Sequence, residues 1–274
     1  MTRFLLALAA CAVGLAPAVA QLPQGSANFD GNSMFPAQAP PGAAQQTLTG
    51  EAPPPPIKIW SGGVEAGVTG QSGNTDVFNL RTGWNLQRKT DDNLFTSDFV
   101  YALAKQEGIE TQNQALFNAR DELLFAGSPW SVFASTNIEY DKFRAYDFLI
   151  GVYAGVGYLV IDDGMRFFKL RAGAGAVNRI GGPDEGWVPE AVFGYDFNRK
   201  ISDRQSFVHS LDYYPRIDDP KQFRVRARAA YEILVDPATG TVLRLGAQSR
   251  YDSDPGPGIK RHDLNYFATL MFKF

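Results

Sequence analysis

The stretch Asp263-Leu-Asn-Tyr-Phe-Ala-Thr-Leu-Met-Phe-Lys-Phe274 decides how the rest of the chain reads. In an extended backbone, Leu264, Tyr266, Ala268, Leu270, Phe272 and Phe274 fall on one side, and Asp263, Asn265, Phe267, Thr269, Met271 and Lys273 on the other. One face is apolar, the other is mostly polar, and aromatics stand near both ends. That is the pattern of a closing strand in a transmembrane barrel, with one face to lipid and one to a wet interior. A soluble sandwich strand shares the alternation, so the other strands must decide.

Working back from that stretch, alternating segments recur at steady spacing from Ile57 onward. Their pattern predicts about twelve strands over 57–70, 75–89, 93–105, 112–126, 129–142, 146–161, 165–178, 186–198, 204–214, 221–234, 240–251 and 261–274. Each is long enough to cross a bilayer when tilted, which takes about ten residues. The expected fold is all-β: a transmembrane antiparallel β-barrel, monomeric by default. Thr90-Asp91-Asp92-Asn93, Gly127-Ser128-Pro129 and Asp162-Asp163-Gly164 read as tight turns, whereas 179–186 and 252–260 are longer. Both chain ends should share a side with the tight turns, which makes those turns periplasmic and the longer loops external.

The lipid-facing phase includes Val64 and Val68, Phe78 and Trp84, Phe95 and Phe99, Trp130 and Ile138, Phe148 and Val152, Phe168 and Leu170, Phe193 and Tyr195, and Val225 and Tyr231. Asp121 is the one carboxylate in it, and a bulge or phase error in that strand is expected there.

Residues 1–20 read as a secretory signal: Arg3, an apolar body, then Ala18-Val19-Ala20. Residues 21–56 are rich in Gln, Ala, Gly and Pro and end in Pro53-Pro54-Pro55-Pro56. Too polar to bury a core, they are expected to form a disordered periplasmic arm before a barrel over 57–274. If the only cysteine, Cys11, leaves with the signal, thiol catalysis and thiolate metal sites are excluded. A net charge of -3 without a basic tract speaks against nucleic acid.

Trp60-Ser-Gly-Gly-Val-Glu-Ala-Gly67, followed by Gly70-Gln-Ser-Gly-Asn-Thr-Asp76, resembles the start of a salt-induced outer-membrane protein family known chiefly as domain of unknown function 481. Asp141-Lys-Phe143, Gly155-Val-Gly-Tyr158 and the closing aromatic strand are similar to it too. The resemblance spans about Ile57 to Phe274 and implies an outer-membrane barrel. It carries no catalytic residues to transfer, and the Pro-rich arm is not part of it. The expected partners are outer-membrane lipid, the barrel-assembly machinery through the strand ending at Phe274, and small polar solutes.

The inward phase holds nearly all the charge. Its acids are Glu65, Asp98, Glu122, Glu139, Asp141, Glu190, Asp196, Asp212 and Glu232. Its bases are Arg81, Arg120, Lys169, Arg171, Arg224, Arg226, Arg228, Arg244, Arg250 and Lys273. Burying them unpaired costs several kcal/mol each, so the interior must be wet or laced with ion pairs. Arg81, Arg224, Arg226, Arg228, Arg244, Arg250 and Lys273 come from strands made adjacent by closure, and Glu139 and Asp141 from the far side. A basic wall facing an acidic wall suits a narrow pore passing small polar or charged solutes. The same inventory suits a non-conducting structural or stress-related barrel with a salt-bridged lumen. The inward glycines Gly151, Gly155, Gly157, Gly173, Gly175 and Gly194 leave room for a solute or permit the bending that closure demands.

No enzymatic activity, cofactor or metal is expected. A lipid-facing Ser/His lipase would need a serine beside His209, and the predicted neighbours are Phe193, Val225 and Ala227. His262 is expected at the external rim near Asp252 and Asp254, the one arrangement that suggests a rim protease.

Overall fold

The computed structural model describes residues 59–73, 75–182, 186–256 and 258–274; the signal and arm readings lie outside the described residues. The strands are β1 (Trp60–Gln71), β2 (Val77–Lys89), β3 (Asn93–Gln106), β4 (Ile109–Leu124), β5 (Trp130–Asp141), β6 (Phe148–Asp162), β7 (Arg166–Ile180), β8 (Trp187–Ser202), β9 (Gln205–Pro215), β10 (Phe223–Asp236), β11 (Thr241–Asp252) and β12 (His262–Lys273). Each pairs antiparallel with its sequence neighbours, and β1 with β12, so the sheet closes into a twelve-stranded barrel. Closure leaves no free edge, which is how a sheet satisfies its backbone groups inside lipid.

The connections 90–92, 125–129, 163–165, 203–204 and 237–240 lie at the end that also holds Trp60 and Lys273, here the turn end. The others, 72–76, 107–108, 142–147, 181–186, 216–222 and 253–261, lie at the loop end. The expected β4 start at 112 falls short, because Glu107 (φ 51°) and Gly108 (φ 77°) make a two-residue hairpin turn and the strand resumes at Ile109. Left-handed φ at both central positions matches the twist of the flanking strands.

The two-residue period sorts the faces as the sequence predicts. Val64, Val68, Phe78, Trp84, Val152, Phe193, Leu264 and Leu270 are exposed on the outside. Aromatics gather near both rims. At the turn end Trp60 meets Phe95 (6.5 Å) and Trp130 meets Tyr158 (4.8 Å). At the loop end Tyr140 meets Phe148 (5.5 Å), and Phe223 lies between Tyr213 (5.4 Å) and Tyr251 (5.5 Å). An apolar belt between aromatic rims is the exterior of a transmembrane barrel.

Asp121 corrects one expectation. Its strand has no bulge there: Asp121 stays in phase opposite Phe95 and Ala134. It points outward at the turn end, where its Oδ1 accepts from Asn93 Nδ2 (2.7 Å). A carboxylate at a rim reaches water, so no change of phase is required.

The β1–β12 seam is the shortest ladder. It pairs Gly63–Ala66 with Leu270–Lys273, and beyond them Gly62 and Phe274 exchange both backbone hydrogen bonds (3.3 and 3.0 Å). The same register would set Gly67 against Thr269 and Gln71 against Asn265, but the ladder stops at Ala66. Behind the unzipped part, Phe267 faces inward with the Arg81 guanidinium 4.1 Å from its ring centroid. Amides aimed into this stretch should open locally. Hydrogen exchange on the folded barrel is expected to be at least about tenfold faster at Val68, Gly70, Tyr266 and Ala268 than at Val64 and Ala66. Equal protection along the whole seam would contradict it.

Candidate functional site

Alternation that turns apolar side chains outward turns the charged ones inward, and every inward acid and base named above is ion-paired. Near the loop end, Arg250 on β11 reaches across the lumen to β4 and β5. Its Nη1 donates to Glu139 Oε1 (2.7 Å), and its Nη2 to Asp141 Oδ2 (2.8 Å) and Gln114 Oε1 (2.6 Å). Arg226 on β10 pairs with the same Glu139. β5 and β11 are diametrically opposed in the ring, so this knot ties one side of the barrel to the other.

The 142–147 loop closes over it. Arg144 pairs with Asp263 and lies near Asp141, while Tyr146 packs on Leu149 and Val177, with Val188 beside them. Burial pushes the Tyr146 phenol up to about 12, with the nearby Glu139 carboxylate adding to the rise. At the same level Arg224 donates twice to Glu190 (3.2 and 2.6 Å), and the Tyr153 hydroxyl links them, donating to Glu190 (2.7 Å) and accepting from Arg224 (3.0 Å). Phe133, Tyr153, Val192 and Tyr214 form an apolar cluster beneath.

Lower in the lumen, Arg120 and Arg171 share Asp196 (2.8 and 3.1 Å), Arg171 also reaches Asp212 (3.0 Å), and Arg228 reaches Asp98 across the lumen (3.4 Å). Towards the turn end, Glu65 takes Arg244 (3.0 Å) and Arg81 (3.5 Å), Glu232 takes Arg244 (3.3 Å) and Lys273 (2.7 Å), and Glu122 takes Lys169.

These partners change the expected picture of two separated walls. Glu139, Asp141, Arg226 and Arg250 are brought into contact rather than left facing across water. Arg224, Arg228, Arg244, Arg81 and Lys273 are neutralised by Glu190, Asp98, Glu65 and Glu232, so no uncompensated basic wall remains. The physical reason is desolvation: removing one partner of a buried pair costs about 3–5 kcal/mol, so each charge is held within reach of its opposite. The turn and loop pairs Arg166–Asp163 and Arg216–Asp218 are more exposed; each arginine holds its carboxylate below the usual range.

The glycines do not leave an open side. A Cβ at Gly151 or Gly175 would meet the Tyr153 ring (2.7 and 2.8 Å), so that ring fills the space they vacate. Cavities with charged side chains in their lining include two along the barrel. One, of about 250 Å³, lies at mid-height among Asp98, Arg120, Arg171, Asp212, Tyr214 and Arg228. The other, of about 400 Å³, lies at the turn end among Asp162, Arg166, Lys200, Arg204, Glu232 and Lys273.

The histidines sit outside the lumen. His209 stacks on Tyr195 (5.3 Å) and faces Phe197 and Ala229 across the ladder, not the neighbours predicted for it. His262 corrects a second expectation: its Nε2 lies 2.8 Å from Ser249 Oγ on the outward face of β11, whereas Asp252 turns inward to Arg179 (3.2 Å). Tyr251 is the partner of His262 across the ladder, and Ser249, two residues away on the same outward face of β11, is its diagonal neighbour. Among the described residues no carboxylate bonds the second ring nitrogen, and no set of three His, Cys, Asp or Glu is placed to hold a metal ion. Sequence reasoning missed Arg144 and Tyr146, because a loop has no period from which to read an inward face.

Two solved barrels illustrate the likeness of architecture. The NanC porin is 10% identical, with 78% of this chain and 96% of that chain covered and a TM-score of 0.42. The translocator domain of autotransporter NalP from Neisseria meningitidis is 10% identical, with 78% and 86% covered and a TM-score of 0.39. Likeness at this level does not extend to what those barrels carry. No curated protein matches the chain. The family described as "Protein of unknown function, DUF481" matches over residues 64–274, nearly the whole barrel, and the chain belongs to that family.

Proposed function

We propose that the chain is an outer-membrane barrel whose lumen is held closed at rest by ion pairs that cross it, a structural or receptor-type envelope barrel rather than a standing pore. The apolar belt and aromatic rims support the membrane reading. The tight turns would face the periplasm. The observation that carries the closed state is Arg250, buried on β11 and bonded to Glu139, Asp141 and Gln114 on the opposite side. A second reading, slow passage of small polar solutes when this knot opens, is favoured by the polar cavities at two heights beneath it.

Planar-bilayer recording of the folded full chain separates the readings. Wild type is expected to be silent or to open rarely at neutral pH, whereas Glu139→Ala or Arg250→Ala, which strand a charge and admit water, should open at least about tenfold more often. Steady wild-type openings whose ion selectivity shifts in Arg226→Ala would establish a standing pore instead.

Closure should also depend on alkali. Because the Tyr146 phenol is raised from 10.0 to about 12 in the folded loop, the neutral form is favoured there. The stabilisation is fully present below pH 10 and is lost as pH rises towards 12, since the released loop ionises first. Wild-type openings should therefore become more frequent across that window, and Tyr146→Phe should remove most of the rise. An unchanged response in Tyr146→Phe would exclude this loop as the closing element.

A further inference from the structure

At the turn end, Arg166 of β7 and Arg199 of β8 stand directly opposite each other in the ladder. Both have the phase of Phe168, Leu170, Tyr195 and Phe197, which is the outward one. Like charges directly opposed in a sheet destabilise it, so the arrangement calls for an anion between them. The chain supplies an anion to one of them only. Asp163 takes Arg166, Oδ2 to Nη2 at 2.7 Å, where Arg166 also borders the turn-end cavity. Arg199 is exposed, and among the described residues it bonds no carboxylate. Two guanidinium groups against one carboxylate leave one positive charge uncompensated on the outer surface.

Beneath the arginines the surface becomes aromatic. Phe197 lies between Phe168 (6.3 Å) and Phe207 (6.4 Å), and Phe207 is the partner of Arg199 on β9. One outward step nearer the middle of the barrel, about 7 Å along the strand at roughly 3.4 Å per residue, His209 stacks on Tyr195 (5.3 Å). Among the described residues neither the His209 ring nitrogens nor the Tyr195 hydroxyl has a hydrogen-bond partner, although both side chains have the outward phase. Guanidinium groups at the rim, a polar pair deeper down and apolar rings around it follow the order of parts in a glycerophospholipid: phosphate, ester region, acyl chains. Guanidinium forks match phosphate oxygens, and a phosphodiester carries the single negative charge that the rim lacks. The geometry points to a binding site for one anionic glycerophospholipid on the outer face of β7–β9, its phosphodiester held between Arg166 and Arg199. This rests on the outer-membrane reading, in which the periplasmic leaflet meets the turn end and supplies the lipid. It does not require a closed lumen, so lipid binding and conductance can fail separately.

The test is native mass spectrometry of the full chain, folded in detergent micelles and titrated with dioleoyl phosphatidylglycerol, with dioleoyl phosphatidylcholine as the zwitterionic comparison. One phosphatidylglycerol should bind at least about tenfold more tightly than phosphatidylcholine. Arg199→Gln should remove most of that preference, and Arg166→Gln provides the readout should the first variant fail to fold. Arg88→Gln alters another outward arginine of the same rim, on β2 beside Asn93, and should leave the preference unchanged. Insertion into phosphatidylcholine vesicles, which lack the anionic lipid, reads the membrane assignment by itself. Equal binding of the two lipids, or a loss in Arg88→Gln as large as in Arg199→Gln, would reduce the arginines to general rim anchors and overturn the site. Displacement of the lipid by an equal concentration of glycerophosphoglycerol, the headgroup without acyl chains, would show an anion site with no part for the aromatic floor. Tighter binding of lipid A than of phosphatidylglycerol would overturn the assigned lipid.

Discussion

An ionised side chain inside a narrow β-barrel must be matched by an opposite charge or by water, and that constraint organises this protein's interior. Alternation forces alternate residues of every strand inward, and here those positions hold most of the strands' Arg, Lys, Asp and Glu. The interior answers with pairs linking distant strands: β11 to β5, β10 to β3, β8 to β4 and β7 to β4. Such pairs are weak evidence of stability relative to an apolar core, because desolvation offsets much of the attraction. Their consequence is geometric: a side chain bound to the opposite side of the barrel occupies the lumen it crosses.

The seam and the knot share the loop-end half of the molecule. There the β1–β12 ladder is incomplete, while Arg250, Arg144 and Tyr146 fill the mouth. Asn265 on β12 bonds Gln112 on β4 across the lumen (3.3 Å), and Phe267 holds the Arg81 guanidinium against its ring. These contacts anchor β12 from inside where its backbone pairing to β1 stops. The barrel is held at that level as much by its contents as by its sheet.

Much of the architecture is legible in the sequence for one reason: period two distinguishes inside from outside wherever the two environments differ. Val64, Trp84 and Leu270 declare one face, and Glu65, Arg244 and Thr269 the other. The β4 start was hidden because Glu107-Gly108 is a turn whose left-handed backbone must be known before the following Ile-Glu-Thr can be assigned to a strand. Asp121 looked out of phase only because its height along the strand was unknown. The partners of the charges were not legible, since strand order says which strands face each other but not how far Arg250 can reach. Nor was Ser249 beside His262, which depends on β11–β12 register to the residue.

The most direct measurement is a double-mutant cycle on Arg250 and Glu139, using Arg250→Met and Glu139→Gln, with denaturant unfolding of the barrel in micelles. If the two side chains are bonded across the lumen, each single change should destabilise by about 3–5 kcal/mol, and the double mutant should be less destabilised than the sum by about 1–3 kcal/mol. Additivity to within about 0.5 kcal/mol would mean that the two groups do not meet, and a lumen closed by their pairing would be contradicted.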